Sequence, residues 1–274
     1  MPAWRMQGPT LPPGTAFDVV ADAHGCLGEF GALLELLGWR PQEDEGPWTP
    51  PAGRHLVVAG DLVDRGPQIV ALLRAVMKMV EAGTASVTVG NHDDKLLRAL
   101  RGHPVKVTHG LDASLSQLGE EREAFRELVR DFLAALPSHV VLDEGRLVVA
   151  HAGLPERLHG SDGNRARDFA MYGETARGTD EWGLPIRLDW TASYQGAAHV
   201  VYGHTPVLEP IWRNRTIDID TGCVFGHRLT ALRYPERELV SVPARRIYQE
   251  KGGPFRVGGP GGPPAEDAPL ARAG

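Results

Sequence analysis

Cysteine is nearly absent from this 274-residue sequence: Cys26 and Cys223 are the only two. Two thiols cannot build the disulfide framework of a small secreted domain, so apolar packing must hold the core, and a reducing compartment is expected. Aromatic residues are scarce at 7%, which leaves aliphatic side chains to carry that core. No apolar run reaches the roughly 18 residues of a membrane-spanning helix. Met1 to Gly14 lacks the apolar centre of a signal peptide. Positive charge is not in excess either: 29 Lys and Arg stand against 35 Asp and Glu, a formal net charge of −6. That balance argues against extended nucleic-acid binding, although bound divalent ions can reverse the local charge around a phosphate. Together these absences predict a cytoplasmic protein with no membrane segment.

What is present is a series of short apolar, β-branched runs: Phe17–Ala21, His55–Ala59, Ala85–Val89, Arg146–Ala150, Ala198–Tyr202 and Thr216–Ile219. Their length and composition read as buried strands. Helical periodicity separates several of them, at Gly28–Gly38 and at Gln68–Glu81, where Pro67 suits a first turn. Strand–helix alternation predicts an α/β fold of stacked sheets with outer helices. One domain is expected over residues 17–250, after an N-terminal extension at 1–16. Residues 93–136 read as a helical insertion, with helices near Lys95–Leu100 and Glu121–Leu136. It is either a structural cap or a lid over substrate. Residues 251–274 are rich in Gly, Pro and Ala, and a disordered tail is expected there.

Five motifs follow five of the strands. They are Asp22-Ala23-His24-Gly25, Gly60-Asp61-Leu62-Val63-Asp64-Arg65-Gly66, Gly90-Asn91-His92-Asp93, His151-Ala152-Gly153 and Gly203-His204-Thr205. Residues just past the carboxyl ends of strands converge at one rim of a sheet. Each motif alone has an ordinary reading as a turn or a core histidine. All five in order, each after a strand, bring carboxylates, imidazoles and one amide to a single rim. That donor set suits manganese, iron or zinc and lacks the thiolates of structural zinc sites. Asp22 and His24, two apart, could share one strand face and bite one ion. Asp61 could bridge two ions with its two oxygens. Asn91, His151 and His204 would add neutral donors.

These motifs resemble those of calcineurin-type metallophosphoesterases, in the phosphoprotein phosphatase branch, over about Phe17 to Pro243. The resemblance implies a two-sheet β-sandwich flanked by helices, with two divalent ions at one edge, manganese being the expected ion and iron or zinc the alternatives. It implies Asp22, His24 and Asp61 at the first ion, and Asp61, Asn91, His151 and His204 at the second. Arg65 would grip the substrate phosphate, and His92 would be the general acid, oriented by Asp64. Ala21 stands where the family pattern usually has glycine before the first aspartate, a change that removes no ligand.

A narrower likeness lies in Asp220-Thr221-Gly222-Cys223-Val224-Phe225-Gly226, Leu229–Glu236, Asn91–Leu97 and Val105–Leu111. These resemble the phosphatase module of bacterial polynucleotide kinase–phosphatases, and symmetrical diadenosine tetraphosphate hydrolases share the Asp-Thr-Gly-Cys stretch. The chain has no Gly-x-x-x-x-Gly-Lys-Ser/Thr phosphate loop and no Lys-x-Asp-Gly ligase motif. Asp220 is expected behind the ligands, hydrogen-bonding a metal-bound histidine or the nucleophilic water, or else as a strand-end turn residue. Arg187 is either a second phosphate clamp or a surface arginine.

The reaction expected is direct hydrolysis of phosphate monoesters, and of cyclic phosphodiesters, on nucleotide or RNA ends. A Ser/Thr protein phosphatase and a symmetrical diadenosine tetraphosphate hydrolase are the alternatives. A non-catalytic scaffold would have lost at least one of the six ligand positions, and none is lost.

Overall fold

The computed structural model describes residues 11–42, 46–257 and 261–262. Three parallel strands form the centre of the first sheet: β1 (Ala16–Val20), β2 (Arg54–Val58) and β3 (Ala85–Val87). The antiparallel pair β10 (Arg228–Tyr234) and β11 (Glu238–Pro243) completes it, in the order β11-β10-β1-β2-β3. The second sheet holds β4 (His139–Leu142), β5 (Leu147–Ala150), β8 (His199–Tyr202) and β9 (Thr216–Asp218), in that order. Here β5, β8 and β9 run parallel and β4 is antiparallel. A small hairpin, β6 (Thr175–Thr179) with β7 (Pro185–Arg187), stands apart from both.

The period of two in the strands explains why the sheets stack. Phe17, Val19 and Ala21 of β1 and its extension meet Val57, Val149, Val201, Ile217 and Leu232 in one buried cluster between the sheets. Their alternates, Val20, Leu56, Val58 and Val87, face the other way, onto helices α1 (Leu27–Leu36) and α2 (Ile69–Glu81). A fully buried Val or Leu contributes about 1.5–3 kcal/mol, and aliphatic residues dominate both clusters, as the scarcity of aromatics requires. The outer face of the second sheet is covered by Trp190, Tyr194 and helix α6 (Asn164–Tyr172). The result is the helix-flanked, two-sheet α/β sandwich expected.

The helical insertion is three helices, not two: α3 (Asn91–Leu100), α4 (Leu111–Gly119) and α5 (Glu123–Ala135). Leu96, Leu97, Leu111, Leu118, Val129, Phe132 and Leu133 are buried in the same cluster as α1 and α2. The insertion is therefore part of the main core rather than a detached lid. Local periodicity hid α4 because its apolar face is narrow; only Leu111, Ser114 and Leu118 are buried.

Two boundaries need correction. Ahead of β1, Leu11 packs on the sandwich core, so the part of the N-terminal extension at 11–16 is joined to the domain; residues 1–10 lie outside the described residues. The expectation of a disordered tail from 251 fails for 251–257. Phe255 is 5% exposed and packs on the main core. Arg256 donates its backbone N–H to Pro206 O and accepts from Leu208 N, both at 2.9 Å. One buried aromatic and two backbone bonds order a Gly/Pro-rich segment that composition alone marks as unstructured. Residues 258–260 and 263–274 lie outside the described residues. Among the described residues no helix is long and apolar enough to cross a membrane.

Candidate metal centre

Parallel β1, β2 and β3 in one sheet, and β5 and β8 in the other, deliver all five motifs to one edge of the sandwich. Short backbone bonds lock the loops together there: His24 N to Asp61 O at 2.9 Å, Gly25 N to Leu62 O at 3.0 Å and Gly203 N to His151 O at 2.8 Å. The two sheets are joined at the site itself, where His204 N donates to Asp22 Oδ2 at 3.0 Å. Gly203 is required for that approach, since a Cβ there would lie 2.0 Å from Asp22 Oδ2.

Asp61 stands at the centre. Its Oδ1 accepts from His92 N at 3.0 Å. Its Oδ2 lies 3.5 Å from His24 Nε2 and 3.5 Å from His151 Nε2. The oxygen between the two histidines is thus one atom, Oδ2, rather than both carboxylate oxygens in turn; the other is held by the first turn of α3.

Each histidine is set by what its second nitrogen does. His24 Nδ1 donates to Val63 O at 2.7 Å, and His151 Nδ1 donates to Ala59 O at 2.9 Å. A carbonyl can only accept, so both Nε2 atoms present lone pairs. His151 Nε2 sits 3.0 Å from Asn91 Oδ1 and 2.9 Å from His204 Nδ1. His204 Nε2 is buried with no hydrogen-bond partner. Lone-pair atoms converging this closely, with too few protons between them, suit a cation. His24, Asp61 and His92 form one such group and Asp61, His151 and His204 another. Asp22 and Asn91 flank them.

The electrostatics agree. Burial pushes the Asp22 and Asp61 carboxyls well above the usual range; Asp220 and Asp61 add to this at Asp22, and Asp93 at Asp61. Burial, then Arg65, drives His24 and His92 well below the ordinary imidazole value; burial, then Arg187, does so at His204. Burial takes His151 down to about 3. Carboxylates crowded against one another beside neutral imidazoles are what divalent ions would stabilise. The residues fit such ions.

Arg65 reaches into this centre. Its Nη1 donates to His24 Nε2 at 2.6 Å and its Nη2 to His92 Nε2 at 2.8 Å. Its guanidinium lies 5.1 Å from the centre of the Phe225 ring. His92 Nδ1 lies 2.6 Å from Asp64 Oδ2, and Asp64 Oδ1 accepts from Ser114 Oγ at 2.5 Å. Burial raises Asp64 to about 6 and lowers His92 well below the ordinary imidazole value, so burial opposes charge on either partner of this hydrogen bond.

Arg187 is close enough for its charge to depress both His151 and His204. It is half-buried on β7 and donates to Tyr172 O. Asp220 is buried, raised to about 6 by burial, and its charge acts on Asp22. Its carboxylate accepts from Gly222 N at 2.9 Å, and among the described residues it makes no hydrogen bond to a site histidine. The expectation of a direct bond to a ligand histidine is therefore corrected: Asp220 holds the Gly222 turn. Sequence reading missed Asp93, which accepts from Asp61 N, Leu62 N and Gly90 N at 2.8, 3.1 and 2.9 Å. An acid three residues after Gly90, at a helix start, was the available signal. It also missed Ser114, for which no local signal exists, because its partner is 50 positions away.

The chain matches the calcineurin-like phosphoesterase family over residues 15–232. It is 45% identical over 239 residues to the asymmetrical bis(5′-nucleosyl)-tetraphosphatase PrpE of Bacillus subtilis, covering 86% of this chain and 97% of that protein. The protein of the same name from Anoxybacillus flavithermus is 43% identical, with 87% and 99% covered. Among solved structures, one described as a candidate diadenosine tetraphosphatase superposes with a TM-score of 0.62 at 24% identity, covering 86% of this chain and 98% of that one. A Saccharomyces cerevisiae Ser/Thr phosphatase superposes at 0.58 with 13% identity, covering 88% and 85%, a likeness of fold alone. The chain therefore belongs to the calcineurin-like phosphoesterase family and is a metal-dependent hydrolase.

Proposed function

We propose that this protein hydrolyses dinucleoside tetraphosphates asymmetrically, using two divalent ions, with manganese as the working ion. The observation that carries this is identity of 43–45% along nearly the whole length of enzymes so named, in a chain whose donor set is unbroken. The nucleotide part of the sequence reading is kept. The RNA-end and protein-phosphate readings have only shorter or fold-level likenesses behind them, and the symmetrical cut gives way to the asymmetrical one.

In this reading Asp22, His24 and Asp61 hold one ion, and Asp61, Asn91, His151 and His204 hold the other. When bound, such ions supply Lewis-acid polarisation of phosphoryl oxygens and activation of water near neutral pH. Arg65 binds the phosphoryl oxygens through its two Nη donors, a bidentate grip. Turning onto the phosphate would take Arg65 Nη2 off His92 Nε2, freeing that nitrogen to take up a proton from solvent water, which it would then give to the leaving phosphate oxygen. Asp64 holds the His92 ring from behind, and Ser114 holds Asp64. Arg187 meets the phosphate from the β6–β7 side.

The test is product analysis with diadenosine tetraphosphate and Mn²⁺. ATP with AMP is expected. Two molecules of ADP would support the symmetrical cut instead, and no cleavage alongside rapid hydrolysis of a phosphopeptide or an RNA 3′-phosphate would overturn the proposal.

A further inference from the structure

The segment Lys251–Arg256 does not trail away from the molecule. Its backbone is strapped to Pro206 and Leu208, directly after the Gly203-His204-Thr205 motif. Phe255 fixes it from below: its ring lies 5.4 Å from that of His227 and closes over Gly222. The segment also meets the β6–β7 hairpin, where Arg256 Nη2 donates to Asp180 Oδ2 at 2.9 Å and the guanidinium lies 5.4 Å from the Trp182 ring centre. Three cations, Arg187, Lys251 and Arg256, are therefore gathered where the segment following His204 meets the β6–β7 hairpin. Arg256 is close enough to depress Arg187, and Lys251 is within the electrostatic reach of Arg65, Arg256 and Asp220.

Like charges are not gathered this way without something to gain. Among the described residues neither Arg187 nor Lys251 makes an ion pair, although the charges of Asp220 and Asp180 act on Lys251, whereas Arg256 pairs with Asp180. Lys251 Nζ donates to Gly253 O at 2.8 Å and Pro254 O at 2.5 Å. An ammonium has three donors, so one is directed to no protein oxygen, although Nζ also lies 5.3 Å from the centre of the Phe255 ring. Burial drives both cations toward their neutral forms, Arg187 to about 10 and Lys251 to about 8, a cost that a bound anion would offset. A phosphomonoester bound at the ions and Arg65 would leave this row unused. A chain of phosphates would not.

We propose that Lys251 and Arg256 of the C-terminal segment, with Arg187 of β7, form a second phosphate subsite beside the metal centre. It takes the phosphoryl groups of a polyphosphate that are not being attacked. The proposal rests on the dinucleoside polyphosphate reading above and supplies what that reading lacks, a device that distinguishes a four-phosphate bridge from a single phosphate. The segment that composition marks as disordered is then a specificity element.

The test measures competition against p-nitrophenyl phosphate hydrolysis in excess Mn²⁺, with the full-length chain. Diadenosine tetraphosphate and orthophosphate are the competitors. For Lys251→Ala the inhibition constant of the dinucleotide is expected to rise about tenfold, the size of one charge-assisted contact. It should rise further when Arg256→Gln is added, while that of orthophosphate moves less than about twofold, within ordinary surface effects. Lys251→Arg, which keeps the charge, should stay close to wild type, separating loss of the cation from loss of fold. Equal weakening of both competitors, or no change in either, would overturn the subsite. The competition constant is read whether or not the dinucleotide is cleaved, so absent cleavage speaks against the proposed function alone.

Discussion

Among the described non-glycine residues, twelve have positive φ, and Asp22, His24, Asp61, Asp64, Arg65 and His204 are six of them. Left-handed backbone at such residues costs roughly 1–3 kcal/mol each and persists only where surroundings enforce it. The enforcing contacts are visible: Asp93 ties down the N–H groups of Asp61 and Leu62, and Gly110 O accepts from Arg65 N at 3.3 Å. This strain has a measurable consequence at Arg65, whose φ is 67°. Arg65→Gly and Arg65→Ala should both lose activity, yet the glycine variant should unfold about 1 kcal/mol later, because only glycine is unstrained there. Chemical denaturation of the two variants decides it, and equal stabilities would mean that the backbone at this loop is not under load. A second prediction concerns His92. On the proposed role of His92 as general acid, His92→Ala should slow alkyl phosphates by about 10²–10⁴-fold. It should slow p-nitrophenyl phosphate far less, since nitrophenolate leaves without a proton. Comparable losses on both would give His92 some other task.

At the scale of elements, the strands that carry the motifs were legible because each is a short β-branched run ending in a chemically distinctive turn. The sequence runs 17–21, 55–59, 146–150 and 198–202 became β1, β2, β5 and β8 with ends shifted by at most one residue. What escaped was structure whose cause is not local. β10 and β11 lie outside the runs read as strands; β10 pairs with β1, and β11 pairs with β10. α4 buries one narrow stripe, and Ser114 earns its place only through Asp64. The C-terminal segment is the clearest case, because its order comes from Phe255 entering a core built by residues far upstream. Phe255→Ala should therefore cost about 3 kcal/mol, the lower end for a buried Phe, and a chain ending at Glu250 should lose at least as much. Thermal melts with and without Mn²⁺ would show this; an unchanged melting temperature would return the segment to the status of an idle tail.

For the whole molecule, the sandwich matters because it holds donors from two sheets in one place without a disulfide. Cys26 and Cys223 are both buried and free, so apolar packing and hydrogen bonds, not a covalent link, fix the geometry. The acidic net charge of the chain coexists with a local group of three cations, Arg187, Lys251 and Arg256, near a carboxylate-rich centre. Composition predicted the first and could not predict the second, which arises only when β7 and the C-terminal segment meet. A centre of this kind must depend on ions both for chemistry and for relief of its crowded carboxylates. Asp61 Oδ2, 3.5 Å from a histidine on either side, is the atom through which the two halves are joined. The decisive measurement is metal content per chain, by elemental analysis after dialysis against trace Mn²⁺, for wild type and Asp61→Asn, with hydrolysis assayed on the same samples. Two ions per wild-type chain are expected from the two-metal reading, with both sites depleted and hydrolysis abolished in Asp61→Asn. A variant that retains two ions and wild-type activity would contradict the shared-carboxylate centre.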